Sequence, residues 1–298
     1  MTDNFPDKKP SRRQFLAGAA ALGAGSSAAG SLSASGDDPL ITEVQEWAQI
    51  TGDGVDATPY GLPIEFEKDV VRRNVGWLTA DTISSINFSP IHALDGTITP
   101  QGCAFERHHS GAIELRKEDY RLMINGLVDK ELVFTYEDLE RFPREQHVYF
   151  CECAANTGME WAGAQLNGVQ FTHGMIHNME YTGVSLRTLL NEAGLNAAGD
   201  LKEKWIFVEG ADASSNGRSI PMEKALDDVL VAFKANGEAL RKEHGYPVRL
   251  VVPGWEGNMW VKWLRRVEVL DRPVESREET SKYTDTLADG ISLSLIHI

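Results

Sequence analysis

The chain carries two thiols one residue apart, in Tyr149-Phe150-Cys151-Glu152-Cys153-Ala154-Ala155-Asn156-Thr157-Gly158-Met159-Glu160-Trp161. In an extended strand both cysteine side chains point to one face while the backbone holds them apart, so they do not readily form a disulfide with each other. A cysteine at a strand end is usually a small core residue. The chemical alternative is a thiolate on a soft metal centre. One deprotonated sulfur can fix a metal whose remaining ligands come from an organic cofactor. Ala154 and Ala155 remove bulk beside the Cys153 sulfur, and Asn156 and Gly158 permit a sharp turn out of the strand.

The elements around this stretch read as α+β. His147-Val148-Tyr149-Phe150 is a buried-strand candidate that delivers the cysteines. Tyr120 to Val128 alternates and turns at Asn125-Gly126, a strand or hairpin signal. Thr135 to Pro143 reads as a short N-capped helix stopped by proline. Val184 to Gly194 has apolar residues spaced by three and four and ends in glycine, as a capped helix does. Strands are expected at Lys204–Val208, Val248–Gly254 and Val261–Leu270. Strands and helices mix without a regular βαβ rhythm, and no Gly-x-Gly-x-x-Gly or phosphate-loop motif is present.

The 298 residues, 42% hydrophobic and 24% charged, suffice for a sizeable core. A net charge of −15 excludes the basic stripe a nucleic-acid binder needs. Three cysteines, with no Cys-x-x-Cys pair and no Cys-x-x-Cys-His, exclude a zinc finger and a covalently attached haem within this chain. Cys103 and Cys151 read first as core thiols. Ser11-Arg12-Arg13-Gln14-Phe15-Leu16 followed by an Ala/Gly-rich run reads as a twin-arginine export signal. The expected compartment is the periplasm, reached already folded, with no membrane span left after signal removal. Residues 1–40 are then signal and linker, 41–272 one catalytic domain, and 273–298 the start of a linker. The apolar Ile291-Ser292-Leu293-Ser294-Leu295-Ile296-His297-Ile298 after a polar stretch is either a strand or a foreign end.

Cys153-Ala154-Ala155-Asn156 resembles the Cys-Ala-Gly-Asn segment of the sulfite oxidase family of molybdenum–pterin enzymes, in which that cysteine is the protein's ligand to molybdenum. Other segments are similar in order. Phe105-Glu106-Arg107-His108-His109 resembles a pterin-approaching Phe-x-Arg-Asn-His. Glu209-Gly210-Ala211-Asp212 and Ser219-Ile220-Pro221 resemble strand-end segments near the cofactor. His244-Gly245-Tyr246-Pro247-Val248-Arg249-Leu250-Val251-Val252-Pro253-Gly254 and then Val261-Lys262-Trp263-Leu264 complete the pattern, which spans roughly residues 85–285. The resemblance implies the sulfite-oxidase-type fold, mixed sheets with surrounding helices. It implies a molybdenum–molybdopterin cofactor on Cys153 and a cofactor-binding set of Phe105, Arg107, His109, Asp212, His244, Arg249, Trp260, Val261 and Lys262. The chemistry agrees: a phosphate-bearing pterin needs fixed cations, which Arg107, Arg249 and Lys262 supply, with His244 as a donor. Lys262 stands in an apolar run where an unpaired ammonium is costly. His108 and His109 face opposite ways if extended, so His109 is the one expected at the cofactor and His108 at the surface or behind it.

Departures from the family pattern point to the substrate. Sulfite oxidases follow their Cys-Ala-Gly-Asn with an arginine; here it is Thr157. Their active-site tyrosine aligns with Asn216, and Arg218 is a candidate replacement cation. Asn156-Thr157-Gly158-Met159-Glu160-Trp161 resembles instead the sulfane dehydrogenase branch of the family. That likeness implies oxidation of a persulfide on a sulfur-carrier protein to the sulfonate. Electrons would pass to a c-type cytochrome subunit that supplies the haem. The alternative is sulfite oxidation to sulfate. Family members continue into an immunoglobulin-like domain, and homodimerisation is expected only where that domain is present.

Overall fold

Alternation along Arg121–Gly126 puts Leu122 and Ile124 on one face, and both are wholly buried. A side chain of that size stabilises the fold by about 1.5–3 kcal/mol when taken from water. A computed structural model of the chain describes residues 60–79, 85–195, 201–281, 283–286 and 292–294. The twin-arginine signal and its linker lie outside the described residues.

Arg121–Gly126 (β4) pairs antiparallel with Leu132–Thr135 (β5), the hairpin that Asn125-Gly126 announces. On its other side it runs parallel to Leu264–Leu270 (β13), with Val267 opposite Ile124. β13 pairs antiparallel with Trp205–Gly210 (β8), which pairs with Gly217–Pro221 (β9). The sheet is therefore mixed, in the order β5-β4-β13-β8-β9.

A second sheet joins Glu145–Glu152 (β6) to Ile176–Ser185 (β7) and then to Leu230–Ala235 (β10). β10 also pairs with Glu238–Ala239 (β11) and Arg249–Val251 (β12). Three short strands, Arg73–Asn74 (β1), Ser85–Phe88 (β2) and Arg107–His108 (β3), make a small antiparallel sheet. Thr284–Thr286 and Ser292–Ser294 pair antiparallel. The short helices follow the local signals. Thr135 caps Tyr136–Arg141 in a capping box with Asp138, and Gly194, at φ +70°, closes the turn after Leu186–Glu192. Among the described residues no helix is long and apolar enough to cross a membrane.

The strand that carries the thiols departs from expectation. β6 is an edge strand, and Val148 and Phe150 are about half exposed. Only at its end does it enter the core, where Cys151 and Cys153 are buried.

Candidate active site

The exit from β6 is built by Asn156. Its Oδ1 accepts from Met175 N at 3.0 Å, and its Nδ2 donates to Glu152 Oε1 at 2.9 Å. Cys153 N bonds Met175 O at 3.0 Å, and Asn156 N bonds Cys153 O at 2.9 Å. The sulfur is thus fixed by a backbone turn clamped to the start of β7. The left-handed residue of this turn is not Asn156 or Gly158 but Thr157, at φ 63°.

Cys153 opens onto a cavity lined by strand ends from all three larger sheets. Arg107 comes from β3, Cys151 from β6, His177 from β7, Arg218 from β9 and Arg249 from β12. Phe105, His109, Asn216, His244, Trp260 and Lys262 also line it. Two residues of the sequence-derived set do not. Asp212 is buried beneath the loop that carries Asn216, accepting from Asn216 N at 3.3 Å and from Ser214 Oγ at 2.8 Å. Val261 packs wholly in the core, where its carbonyl accepts from Leu250 N. Asp212 thus braces the backbone at Asn216, and Val261 packs in the core.

His109 lines the cavity, and His108 lies behind it. His108 is buried rather than at the surface, and burial together with Lys262 and Arg107 pushes its pKa down to about 4. His244 reaches inward because Gly245, at φ +101°, turns the chain where a Cβ would meet Lys262 and Arg249 at about 3 Å.

The electrostatics of the cavity are one-sided. Arg218 and Arg249 are 1% and 3% exposed. Arg249 donates to the carbonyls of His244 and Trp260, each at 3.2 Å, and Arg218 to those of Asn258 and Glu278. Lys262 Nζ donates to the carbonyls of Arg107 and Glu243 at 3.1 and 2.9 Å. Its pKa falls to about 7, through burial first and then the Arg249 charge. The lining carboxylates Glu106 and Glu243 both turn to Arg72, at 3.9 and 3.2 Å. Cations held by carbonyls want a counter-charge. Arg218 Nη2 is buried without a hydrogen-bond partner among the described residues.

Several lining groups escaped the sequence reading. Cys151 faces the cavity, and burial pushes its thiol up to about 12. His177 is buried with Nε2 2.9 Å from the Tyr181 hydroxyl, and its pKa falls to about 3. No short motif marks it; only the alternation of β7 turns it inward. Tyr283 arrives from the segment read as the start of a linker. Ser219 N and Oγ bond the Glu279 carboxylate at 2.7 and 3.2 Å, and Ser276 Oγ bonds Gly217 O at 2.9 Å. These contacts dock the 274–283 segment along β9. Cys103 is only half-buried, its sulfur 3.5 Å from Val70 O.

Among the described residues no three His, Cys, Asp or Glu side chains are grouped to hold a metal. A metal on Cys153 needs further ligands from elsewhere.

Comparison with known proteins identifies the domain. The family described as the oxidoreductase molybdopterin-binding domain matches residues 109–278. The mitochondrial sulfite oxidase of Mus musculus is 33% identical over 210 residues, 67% of this chain and 37% of that protein. The NADH nitrate reductase 1 of Phaseolus vulgaris is 34% identical over 191 residues, 61% of this chain and 22% of that protein. The crystal structure of the sulfane dehydrogenase SoxCD from Paracoccus pantotrophus is similar at a TM-score of 0.78 and 70% identity, covering 86% of this chain and 65% of that one. The chain thus spans well under half the length of these curated relatives.

Proposed function

This chain belongs to the oxidoreductase molybdopterin-binding domain family, and from that premise we propose that it is the molybdenum-carrying part of a periplasmic sulfane dehydrogenase. Its substrate is a persulfide on a carrier protein's cysteine, and its product is the sulfonate. The single observation that carries this reading is the cavity itself: Cys153 beside Arg107, Arg218, Arg249 and Lys262, all four lining one space.

These residues fit a phosphate-bearing pterin. The cations are held by carbonyls and an anion would supply the counter-charge. A buried thiol, whose pKa burial raises, becomes a thiolate when a metal's charge replaces the lost solvation. Cys153 would then hold molybdenum, with Arg249, Lys262 and His244 on the cofactor's anionic and polar edges. The bound group supplies oxygen-atom transfer coupled to a two-electron change at the metal. Each oxygen added to sulfur consumes one water and releases two protons and two electrons. The protein's part is to position and to exclude water. His109 is held by Arg107 at 3.1 Å, and Asn216 and Tyr283 line the same cavity.

Support for the sulfane branch comes from the likeness to SoxCD and from Thr157. Thr157 is absent from the cavity lining, so the position that carries an arginine in sulfite oxidases gives no charge for free sulfite. Electrons leave to a c-type cytochrome subunit.

The test is metal content and turnover of the cofactor-loaded protein beside Cys153→Ser. About one molybdenum per chain, lost in the variant, is expected. Turnover of a carrier-protein persulfide should exceed that of sulfite, with a c-type cytochrome as acceptor. Full molybdenum-dependent activity in Cys153→Ser overturns the ligand assignment, and a preference for sulfite overturns the substrate.

A further inference from the structure

His177 lines the cavity from β7 and is absent from the cofactor-binding set that the sequence implies. It stands directly opposite Cys151 in the β6–β7 register. The Phe105 and His244 rings lie 5.0 and 5.9 Å from its own, centroid to centroid. It is 4% exposed, and its Nδ1 is buried without a hydrogen-bond partner among the described residues. Burial and the Arg249 charge lower its pKa to about 3, so at neutral pH the ring is uncharged and carries one hydrogen.

Tyr181 decides which nitrogen holds that hydrogen. It is wholly buried, and among the described residues its hydroxyl meets only His177 Nε2, at 2.9 Å. Burial pushes the phenol above its ordinary range, so it stays protonated. Were Nε2 the donor, the phenolic hydrogen would have no acceptor and Nδ1 no donor, two unmet groups in a dry place. With the hydroxyl donating to Nε2, the ring hydrogen sits on Nδ1 and only that N–H is unmet.

A buried N–H without an acceptor is costly, and an acceptor atom on a group seated in the cavity removes that cost. The surroundings say which part of such a group comes here. The Arg249 guanidinium lies over the Tyr181 ring, 5.7 Å from Cζ to centroid, and His177, Arg249 and Lys262 all bear on His244. This is the cationic end of the cavity, and an anion belongs in it. A further full charge would add to the repulsion that Arg249 already exerts on Lys262, whereas a neutral donor does not.

We infer that His177 anchors the anionic end of the cofactor by a hydrogen bond from Nδ1–H, and that Tyr181 is the positioning residue that keeps the hydrogen on Nδ1. This deepens the molybdenum–pterin reading above, on which it rests, by adding a donor that the motifs do not announce.

The test is the release of pterin and molybdenum from the cofactor-loaded chain after dilution, measured for wild type, His177→Asn, His177→Gln and Tyr181→Phe. An asparagine amide stands where Nδ1 stands, and a glutamine amide reaches where Nε2 does. His177→Asn should release the cofactor at close to the wild-type rate, and His177→Gln about tenfold faster. Tyr181→Phe should release it several-fold faster, because the hydrogen is then free to move to Nε2. Both His177 variants lose the ring, so a mere packing role would speed release in both alike. Equal release from the asparagine and glutamine variants, or wild-type release from Tyr181→Phe, overturns the inference. A wild-type chain that takes up no pterin overturns it together with the cofactor reading. A chain that holds pterin through His177 but does not oxidise persulfide keeps the anchor and defeats only the substrate assignment.

Discussion

At the scale of single residues, Thr157 and Lys262 are each held in a costly state. Thr157 occupies the left-handed region, which disfavours a β-branched side chain by about 1 kcal/mol. Thr157→Asn should stabilise the protein by up to about that amount in urea unfolding. A destabilised variant would mean that the threonine side chain has a compensating role. Lys262 has its pKa lowered from 10.5 to about 7 by burial and Arg249. Between those values the unfolded chain holds a proton that the folded chain does not, so stability rises with pH above about 7. The cofactor-free protein should gain up to about 1.4 kcal/mol per pH unit from pH 7 to 9, and Lys262→Met should lack that slope. A bound anion lifts the pKa, so the loaded protein should show a flatter profile. Residue types made part of this legible: an apolar run interrupted by one lysine announces a charged partner. Tyr283 and His177 carry no such mark, because only tertiary folding brings them to Cys153.

At the scale of elements, turns and caps decide where side chains point. Gly245→Ala forces a Cβ to within about 3 Å of Lys262 and Arg249 in a left-handed turn. A loss of about 1–3 kcal/mol is expected in chemical denaturation, with weaker molybdenum retention. Thr135→Ala removes the capping box of the 136–141 helix, outside the cavity lining, and should cost about 1 kcal/mol without changing metal content. The cap could be read from sequence because threonine and aspartate act through local backbone geometry. The exposure of β6 could not. Apolar Val148 and Phe150 look the same in a central and an edge strand, and only the sheet order, which depends on distant β7 and β10, separates them. The docking of residues 274–283 was equally hidden. It depends on Glu279 meeting the Ser219 amide and hydroxyl, a pairing across 60 residues.

At the scale of the whole molecule, net charge governs encounters. With −15 on the chain, a basic electron acceptor is steered inward over distances comparable to the Debye length. If the proposed c-type cytochrome acceptor is basic, its reduction should slow several-fold between about 10 and 150 mM salt, while molybdenum content stays constant. A salt-independent rate would place the encounter on an uncharged patch. The five-strand mixed sheet and the sheet carrying the thiols match the expected α+β architecture, and the order of motifs along the chain reflects how strand ends from separate sheets converge on one cavity.

Time of synthesis gives the Tyr283 arrangement another meaning. A ribosome releases the floor of the cavity, at Cys153, long before it releases the wall formed by the 274–283 segment. Between those two moments the nascent molecule has the Cys153 sulfur and its cations but lacks the wall on the Arg218 side. Closure then waits on Glu279 reaching Ser219. The fold thereby sets a sequence of manufacture: a container whose last panel is made last, and is fitted from outside the domain that the family shares.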